Sequence, residues 1–207
     1  MTEDEAQGWV STRFGDGAVD RLHRYAAILS EEAARQNLIA ASTLPTLWAR
    51  HLVDSAQLAD LAPTSAGGEW IDIGSGAGLP GLVVALLTEW RVALAEPRRL
   101  RVAFLEQCIA ALGLEGRVVV EPTKSEHVRR TAPAAVISAR AVSALPQLIA
   151  SSAHLADRGT VWVLPKGQRA QSEVADARRS WQGVFHVKPS VVDPASGIVV
   201  ASGIARR

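Results

Sequence analysis

Short apolar runs alternate with amphipathic stretches along most of the chain. Runs rich in β-branched residues predict strands, and apolar residues three and four apart predict helices. The predicted strands lie near residues 70–73, 91–95, 117–121, 134–139, 160–164, 183–188 and 197–203. The predicted helices between them lie near residues 80–89, 98–112, 124–130, 143–156 and 168–178. This alternation predicts an α/β fold with a mostly parallel sheet and helices on both faces.

The two ends of the chain depart from this alternation. The last two predicted strands are joined only by a short connection from Pro189 to Ser196, which fits an antiparallel hairpin. The first 65 or so residues are predicted to be helical, with one apolar face over residues 19–41. Ser42 or Thr43 can cap a second helix that has Pro45 in its first turn and ends near residue 61.

A loop of turn-forming residues at 64–68 divides the chain into two predicted parts. Residues 1–65 form a helical N-terminal extension packed on the core, and residues 66–207 form the α/β domain. A chain of 207 residues, 48% of them hydrophobic, can bury such a core.

The most informative segment is Trp70-Ile71-Asp72-Ile73-Gly74-Ser75-Gly76-Ala77-Gly78-Leu79-Pro80-Gly81. It predicts a strand, a glycine-rich turn and a helix start, with proline in the first helical turn. Glycines let the backbone adopt positive φ and approach a ligand closely, and the free N–H groups of the new helix face the same place. The segment therefore predicts a nucleotide-like ligand.

Two ligand patterns overlap in this turn. Gly76-x-Gly78-x-x-Gly81 satisfies the dinucleotide pattern, and Asp72-x-Gly74-x-Gly76-x-Gly78 satisfies that of S-adenosylmethionine (AdoMet) methyltransferases. The second is favoured, because the first would place Asp72 and Gly74 inside the strand. The positive charges of AdoMet also favour a nearby carboxylate, whereas a pyrophosphate would be repelled by it.

A second carboxylate, Glu96, follows the next predicted strand about 20 residues further on, where nucleotide-binding folds hold ribose hydroxyls. This feature does not separate AdoMet from NAD, because both carry a ribose. A mostly parallel sheet that ends in an antiparallel hairpin is, however, the arrangement of class I AdoMet-dependent methyltransferases, a Rossmann-like fold.

Charge is distributed unevenly along the chain. Residues 1–69 have a net charge of −5 and residues 70–207 a net charge of +6. Basic clusters on one domain are typical of proteins that bind polyanions, although a solvated surface would give the same count. The chain has no long apolar run, an acidic start and a single cysteine, Cys108, so we expect a cytoplasmic protein without a membrane span or a disulfide.

Five segments in the right order resemble the glucose-inhibited division protein B family, the bacterial 16S rRNA guanine-N7 methyltransferases. They are Asn37-Leu38-Ile39-Ala40 with Trp48-x-Arg50-His51-x-x-Asp54-Ser55, the glycine turn from Ile71 to Gly81, Arg98-x-x-Arg101-x-x-Phe104-Leu105, Val136-Ile137-Ser138-Ala139-Arg140-Ala141, and Leu164-Pro165-Lys166-Gly167. The resemblance covers nearly the whole chain. It implies transfer of the AdoMet methyl group to guanine N7 in 16S rRNA or a small ribosomal subunit precursor, by a protein expected to be a monomer.

The resemblance and the positions in the chain together imply roles for individual residues. The residues expected to bind the cofactor are Asp72, Gly74, Gly76, Gly78, Leu79, Glu96, Ser125, Glu126 and Arg140. Ser125 and Glu126 are expected beside the adenine, and Arg140 could hold the AdoMet carboxylate or an RNA phosphate. The residues expected to bind substrate are His51, Lys166 and Arg169.

His51 has two possible roles. It lies one helical turn from Asp54 and Ser55, so a local hydrogen bond that locks the helical extension is the simpler interpretation, and a place beside the substrate is the other. Neither a metal site nor a catalytic acid or base is expected, because guanine N7 carries no proton to remove.

Three other functions compete with this prediction. An NAD-dependent oxidoreductase is disfavoured because Tyr25 is the only tyrosine and no Tyr-x-x-x-Lys pair exists. A non-catalytic RNA-binding or assembly protein is disfavoured by the intact cofactor residues. A small-molecule methyltransferase is disfavoured by the basic second part of the chain.

Overall fold

A computed structural model describes residues 1–64 and 67–207. Its centre is a seven-stranded sheet in the order β3-β2-β1-β4-β5-β7-β6, in which β1 to β5 are parallel and β7 is antiparallel to both of its neighbours. The strands are β1 Glu69–Ile73, β2 Arg91–Ala95, β3 Val118–Glu121, β4 Val136–Ala139, β5 Val161–Gly167, β6 Trp181–Pro189 and β7 Gly197–Arg206. The class I methyltransferase fold predicted from the sequence is confirmed.

Helices cover both faces of the sheet. They are α1 Glu3–Phe14, α2 Asp16–Ala33, the single turn α3 Asp54–Ala56, α4 Gly81–Leu87, α5 Arg99–Leu112, α6 Leu145–Ser152 and α7 Ala170–Ala177. Side chains alternate across each strand, so Trp70 joins the apolar cluster on the α4 and α5 side while Ile71 joins the one on the α6 and α7 side.

The helical extension shares the first of these clusters, and polar contacts from α2 attach it to the α/β domain. Tyr25 Oη donates to the carbonyl oxygen of Ala77 at 2.6 Å, Arg21 Nε to that of Leu86 at 2.6 Å, and Arg24 Nη2 to that of Ala111 at 2.7 Å. Each bond satisfies a carbonyl in a turn or a helix end that lacks a partner in its own element. The predicted boundary at residues 65 and 66 lies outside the described residues.

Two predictions for the extension are wrong in detail. The apolar stretch 19–41 is helical only to Ala33. The second predicted helix is broken into a 3-10 helix at Ala41–Thr46, a π-helix at Trp48–Val53, the turn α3 and a 3-10 turn at Ala59–Leu61. Thr43 does not cap an α-helix, because its hydroxyl donates to the carbonyl of Ala40.

The helix predicted near 124–130 is also wrong, since only a 3-10 turn at Ser125–His127 forms. The Arg129 guanidinium donates to the carbonyls of Glu126 and Val128, which a longer helix would have bonded to backbone N–H groups. The helix predicted near 143–156 is shorter, with α6 followed by a 3-10 turn at Ala153–Leu155. Among the described residues, no helix is long and apolar enough to cross a membrane.

Candidate functional site

The turn between β1 and α4 requires its glycines. Gly74, Gly76 and Gly78 have φ of +66°, +58° and +89°, values that residues other than glycine rarely adopt. A Cβ on Gly74 would lie 2.6 Å from Val142 Cγ2, and one on Gly78 would lie 2.4 Å from Leu82 Cδ1. Val142 and Leu82 therefore leave no room for a Cβ at Gly74 or Gly78, and the turn presents bare backbone.

Asp72 supports this turn from inside the protein. The sequence predicts that its carboxylate faces the cofactor, but the structure turns it inward, where it is fully buried. Its Oδ2 accepts the Gly81 N–H at 3.1 Å, and its Oδ1 accepts the Ser138 hydroxyl at 2.7 Å. Trp70 Nε1 in turn donates to Ser138 Oγ at 2.8 Å. Asp72 thus joins β1, β4 and α4, and its burial raises its pKa to about 6.

Glu96 connects the same turn to β2 and α5. Its side chain is buried, with Oε2 accepting the Gly76 N–H at 3.0 Å and Oε1 accepting the Arg98 N–H at 2.8 Å. Arg101 Nη1 lies 3.8 Å from Oε2. Each carboxylate oxygen has a second lone pair, so a ribose hydroxyl can still be accepted here.

Ser125 and Glu126 lie in the 3-10 turn that follows β3. Ser125 Oγ donates to Glu126 Oε2 at 3.2 Å, and neither residue is buried. They stand at the carboxyl edge of the sheet on the β2 and β3 side, outside the cavity described next. Their contact with adenine stays a prediction.

A cavity of about 820 Å³ opens at the carboxyl ends of β1, β4 and β5. Most of its lining comes from five parts of the chain: the glycine turn with Leu79, the segment 140–144 after β4, the end of β5 with the start of α7, the helical extension, and the connection between β6 and β7. Gln57 holds the last two together, since its Nε2 donates to Ser190 Oγ at 3.1 Å and its Oε1 accepts the Val191 N–H at 2.9 Å. A cavity at the strand ends of an open α/β sheet is the expected ligand site of such folds.

Arg140 ends β4 and meets the extension inside this cavity. Its Nη1 lies 3.1 Å from His51 Nδ1 and 3.4 Å from Asp54 Oδ2. The direct hydrogen bond predicted between His51 and Asp54 or Ser55 is therefore replaced by a bridge through Arg140. His51 lines the cavity and also fixes the helical extension to the α/β domain through Arg140. It therefore combines the structural role and the place at the cavity that the sequence offered as alternatives.

The protonation state of His51 follows from its neighbours. The Thr43 hydroxyl gives its proton to the carbonyl of Ala40 and lies 2.7 Å from His51 Nε2, so Nε2 must carry a proton and donate it. Nδ1 is then free to accept from Arg140. Burial, followed by the charges of Arg140 and Arg50, lowers the His51 pKa to about 4. The imidazole is neutral at physiological pH.

Lys166 and Arg169 differ in their surroundings although both line the cavity. Lys166 Nζ donates to the Ser143 carbonyl at 2.6 Å and lies 3.2 Å from Glu173 Oε2. The lysine that was predicted to bind phosphate is thus already held by partners within the protein. Burial lowers the Lys166 pKa, and Glu173 opposes this. The Arg169 side chain is exposed at the start of α7, where it remains available to an anion.

Several lining residues were missed by the sequence-based site prediction: Arg50, Val142, Ser143, Glu173 and Asp193. Arg50 precedes His51 in a segment that the resemblance already singled out, so its position was a usable signal. Nothing in the sequence linked Glu173 to Lys166, because their pairing depends on how α7 packs against β5.

Comparison with known proteins gives a consistent result. A family model described as rRNA small subunit methyltransferase G matches residues 18–195. A ribosomal RNA small subunit methyltransferase G from Rhizorhabdus wittichii is 44% identical over 208 residues, covering 100% of this chain and 95% of the relative. A protein of the same name from Sphingopyxis alaskensis is 46% identical, covering 97% of this chain and 86% of the relative.

Solved structures share the fold at low sequence identity. An O-methyltransferase from Bacillus cereus in complex with SAH has a TM-score of 0.62 and 15% identity, covering 87% of this chain and 90% of its own. The cofactor-bound Rv0187 from MTB has a TM-score of 0.66 and 16% identity, and the match covers 98% of this chain and 97% of that protein.

Proposed function

The chain belongs to the rRNA small subunit methyltransferase G family, and on that premise we propose that it methylates guanine N7 in 16S rRNA with AdoMet as the methyl donor. The observation that carries the proposal is the arrangement of the cavity, in which a glycine turn suited to AdoMet adjoins Arg140 and a further space large enough for a base.

The residues present fit AdoMet. The positive φ values of the turn and the clashes that a Cβ would cause at Gly74 and Gly78 leave a backbone surface that a ligand can approach. Gly74, Gly76, Gly78 and Leu79 would hold the methionine and ribose, Glu96 the ribose hydroxyls, and Ser125 with Glu126 the adenine. When bound, AdoMet supplies a methyl group activated by its sulfonium.

The residues of the chain then act by positioning rather than by proton transfer. Guanine N7 attacks with a lone pair and has no proton to lose. His51, the nearest candidate base, is neutral, but both of its ring nitrogens are used by Arg140 and Thr43. Alignment of reacting groups by such a rigid wall can lower a barrier by roughly 7–11 kcal/mol. Arg140 would hold either the AdoMet carboxylate or an RNA phosphate.

This mechanism predicts a flat pH profile. We expect single-turnover methylation rates to stay constant from about pH 6 to pH 9, where a base of ordinary histidine pKa would titrate. His51, with a pKa of about 4, is neutral throughout this range, so the His51→Ala variant tests its role directly. Arg140→Ala should slow transfer strongly without adding a pH dependence, and His51→Ala should cost much less. A rate that rises with pH in the wild type and loses this rise in His51→Ala would assign His51 as a base and exclude N7 as the acceptor.

The proposed substrate also defines the partners. Exposed Arg50 and Arg169 at the cavity would contact RNA phosphates. The enzyme would act as a monomer in the cytoplasm, on naked 16S rRNA or on a small-subunit particle.

Mapping of 7-methylguanosine in 16S rRNA tests the proposal. We expect the modification in cells that make the protein and its absence in cells that do not, with recovery by the wild type and not by Gly74→Val. Purified 16S rRNA and small-subunit particles, assayed side by side, identify the form of the substrate. A methyl group on an exocyclic amine or a ribose would refute N7 transfer, and titration calorimetry showing NAD binding without AdoMet binding would favour an oxidoreductase.

A further inference from the structure

The part of the cavity over the end of β5 is lined by none of the residues assigned to the cofactor. Its wall contains the charged pair Lys166 and Glu173, whose side chains are only 8% and 13% exposed. A pair so well shielded from water can discriminate between ligands that differ in hydrogen-bonding groups, because a mismatch there leaves a buried group unpaired.

The internal partners of this pair leave one donor and one acceptor unused. Lys166 Nζ has three N–H groups, of which one reaches the Ser143 carbonyl and one Glu173 Oε2. Glu173 Oε2 also accepts the Leu145 N–H at 2.7 Å. Within residues 1–64 and 67–207, Glu173 Oε1 has no hydrogen-bond partner. A lysine donor and a carboxylate acceptor therefore stand side by side at the cavity wall.

Guanine matches this arrangement and adenine opposes it. Guanine presents the O6 acceptor beside the N1–H donor, and O6 also neighbours N7. Adenine presents an amino donor and a bare N1 in the same two places. We propose that Lys166 and Glu173 form a base-selecting subsite, in which Lys166 Nζ donates to O6 and Glu173 Oε1 accepts N1–H. This inference rests on the proposed function, which makes a guanosine the methyl acceptor.

The order of the strands agrees with this assignment. In the sheet, β4 with Arg140 lies between β1, which carries the glycine turn, and β5, which carries Lys166. Neighbouring strands are about 4.8 Å apart, so roughly 10 Å separates the ends of β1 and β5. A purine lying across β4 can direct N7 toward the turn and its O6 side toward Lys166.

The test uses the whole enzyme and a 16S rRNA fragment in which the target guanosine is replaced by inosine or by 2-aminopurine riboside. Inosine keeps N7, O6 and N1–H, whereas 2-aminopurine keeps N7 but lacks O6 and N1–H. The wild type should methylate inosine nearly as well as guanosine and should lose about 10- to 100-fold in kcat/KM on 2-aminopurine.

Glu173→Gln isolates the contact. The glutamine oxygen can still accept the Leu145 N–H, and its amide then presents a donor where guanine also presents one. We expect a 10- to 100-fold loss on guanosine, a collapsed preference for guanosine over 2-aminopurine, and unchanged AdoMet affinity. The matched control is Glu89→Gln, since that side chain is 88% exposed and remote from the cavity.

Comparing the ratio of kcat/KM on guanosine to kcat/KM on 2-aminopurine between variants separates base recognition from the chemistry of methyl transfer. 2-Aminopurine changes the intrinsic reactivity of N7 equally for every enzyme variant, so only the change in the guanosine preference reports the contact. If the wild type methylates 2-aminopurine as well as guanosine, or if Glu173→Gln and Lys166→Met keep the preference of Glu89→Gln, the subsite does not exist. Failure of the proposed function would instead appear as no 7-methylguanosine on the unaltered fragment. If Glu173→Gln does not fold, the wild-type comparison still refutes the subsite when 2-aminopurine is methylated as well as guanosine, and Lys166→Met supplies the change in preference.

Discussion

Replacement of Asp72 by asparagine should remove a large pH dependence from the stability of the fold. Asp72 is fully buried, and burial raises its pKa from the ordinary 3.8 to about 6. The folded state therefore binds this proton more tightly than the unfolded state does. The stability that this gives is complete below about pH 4 and is lost as the pH rises through about 6.

The magnitude follows from the two pKa values. A tenfold difference in proton affinity corresponds to ~1.4 kcal/mol, so a rise from 3.8 to about 6 corresponds to about 3 kcal/mol. Asparagine does not titrate, and it keeps an oxygen for the Gly81 N–H and an amide group for Ser138 Oγ. At pH 4 the unfolded carboxyl is already about half ionised, so Asp72→Asn should gain about 2.5 kcal/mol in stability relative to the wild type between pH 4 and pH 8, most of it below pH 6.

Urea unfolding of both proteins at pH 4, 6 and 8 measures this difference. All other carboxyl groups titrate in both proteins, so their contributions cancel in the comparison. Asp20→Asn, at an exposed position of α2, is the matched control for the loss of one carboxylate. A constant difference between Asp72→Asn and the wild type over this range would refute the argument, because it would mean that Asp72 ionises as freely inside the protein as outside.

Three further outcomes are expected. Tyr25→Phe leaves the buried Ala77 carbonyl without its donor, which should cost about 1–3 kcal/mol in stability and weaken AdoMet binding measured by calorimetry. Unchanged AdoMet affinity would mean that this contact of the helical extension does not support the cofactor turn. Gly74→Val should abolish AdoMet binding with the circular dichroism spectrum retained, because its Cβ would meet Val142 at 2.6 Å, and normal binding would contradict the site. Affinity for 16S rRNA should fall steeply with salt, and Arg169→Glu should flatten that slope; if the wild-type affinity does not change with salt, the arginines at the cavity are only solvated surface.

The sequence predicted the α/β domain well because its strands are short apolar runs bounded by turn residues. All seven predicted strands form, since a buried parallel strand needs little beyond a continuous apolar segment. The helical extension was harder, because 3-10 and π geometry between Ala41 and Val53 depends on contacts made elsewhere. The Glu3 carboxylate, for example, accepts the backbone N–H groups of Trp48 and Ala49 from far away in the sequence.

The candidate site shows the same division between local and tertiary information. The glycines of the turn and Arg140 could be located from their places at strand ends, where the fold gathers its ligands. The inward direction of Asp72 could not, since it depends on Ser138 arriving from β4. The pairing of Lys166 with Glu173 likewise required the docking of α7, so the sequence presented a lysine near a turn and nothing of its partner.

The two hydrogen bonds between Gln57 and the connection from β6 to β7 have a consequence for how the protein is made. They join Gln57 in the helical extension to Ser190 and Val191, which lie 133 and 134 positions further along the sequence. Contacts of such long sequence separation form late, because a long loop must close before they can be made. During synthesis on a ribosome, the wall of the cavity stays open until the β6–β7 hairpin has emerged and docked. A nascent chain that already carries a folded glycine turn therefore lacks one wall of the cavity until that hairpin docks.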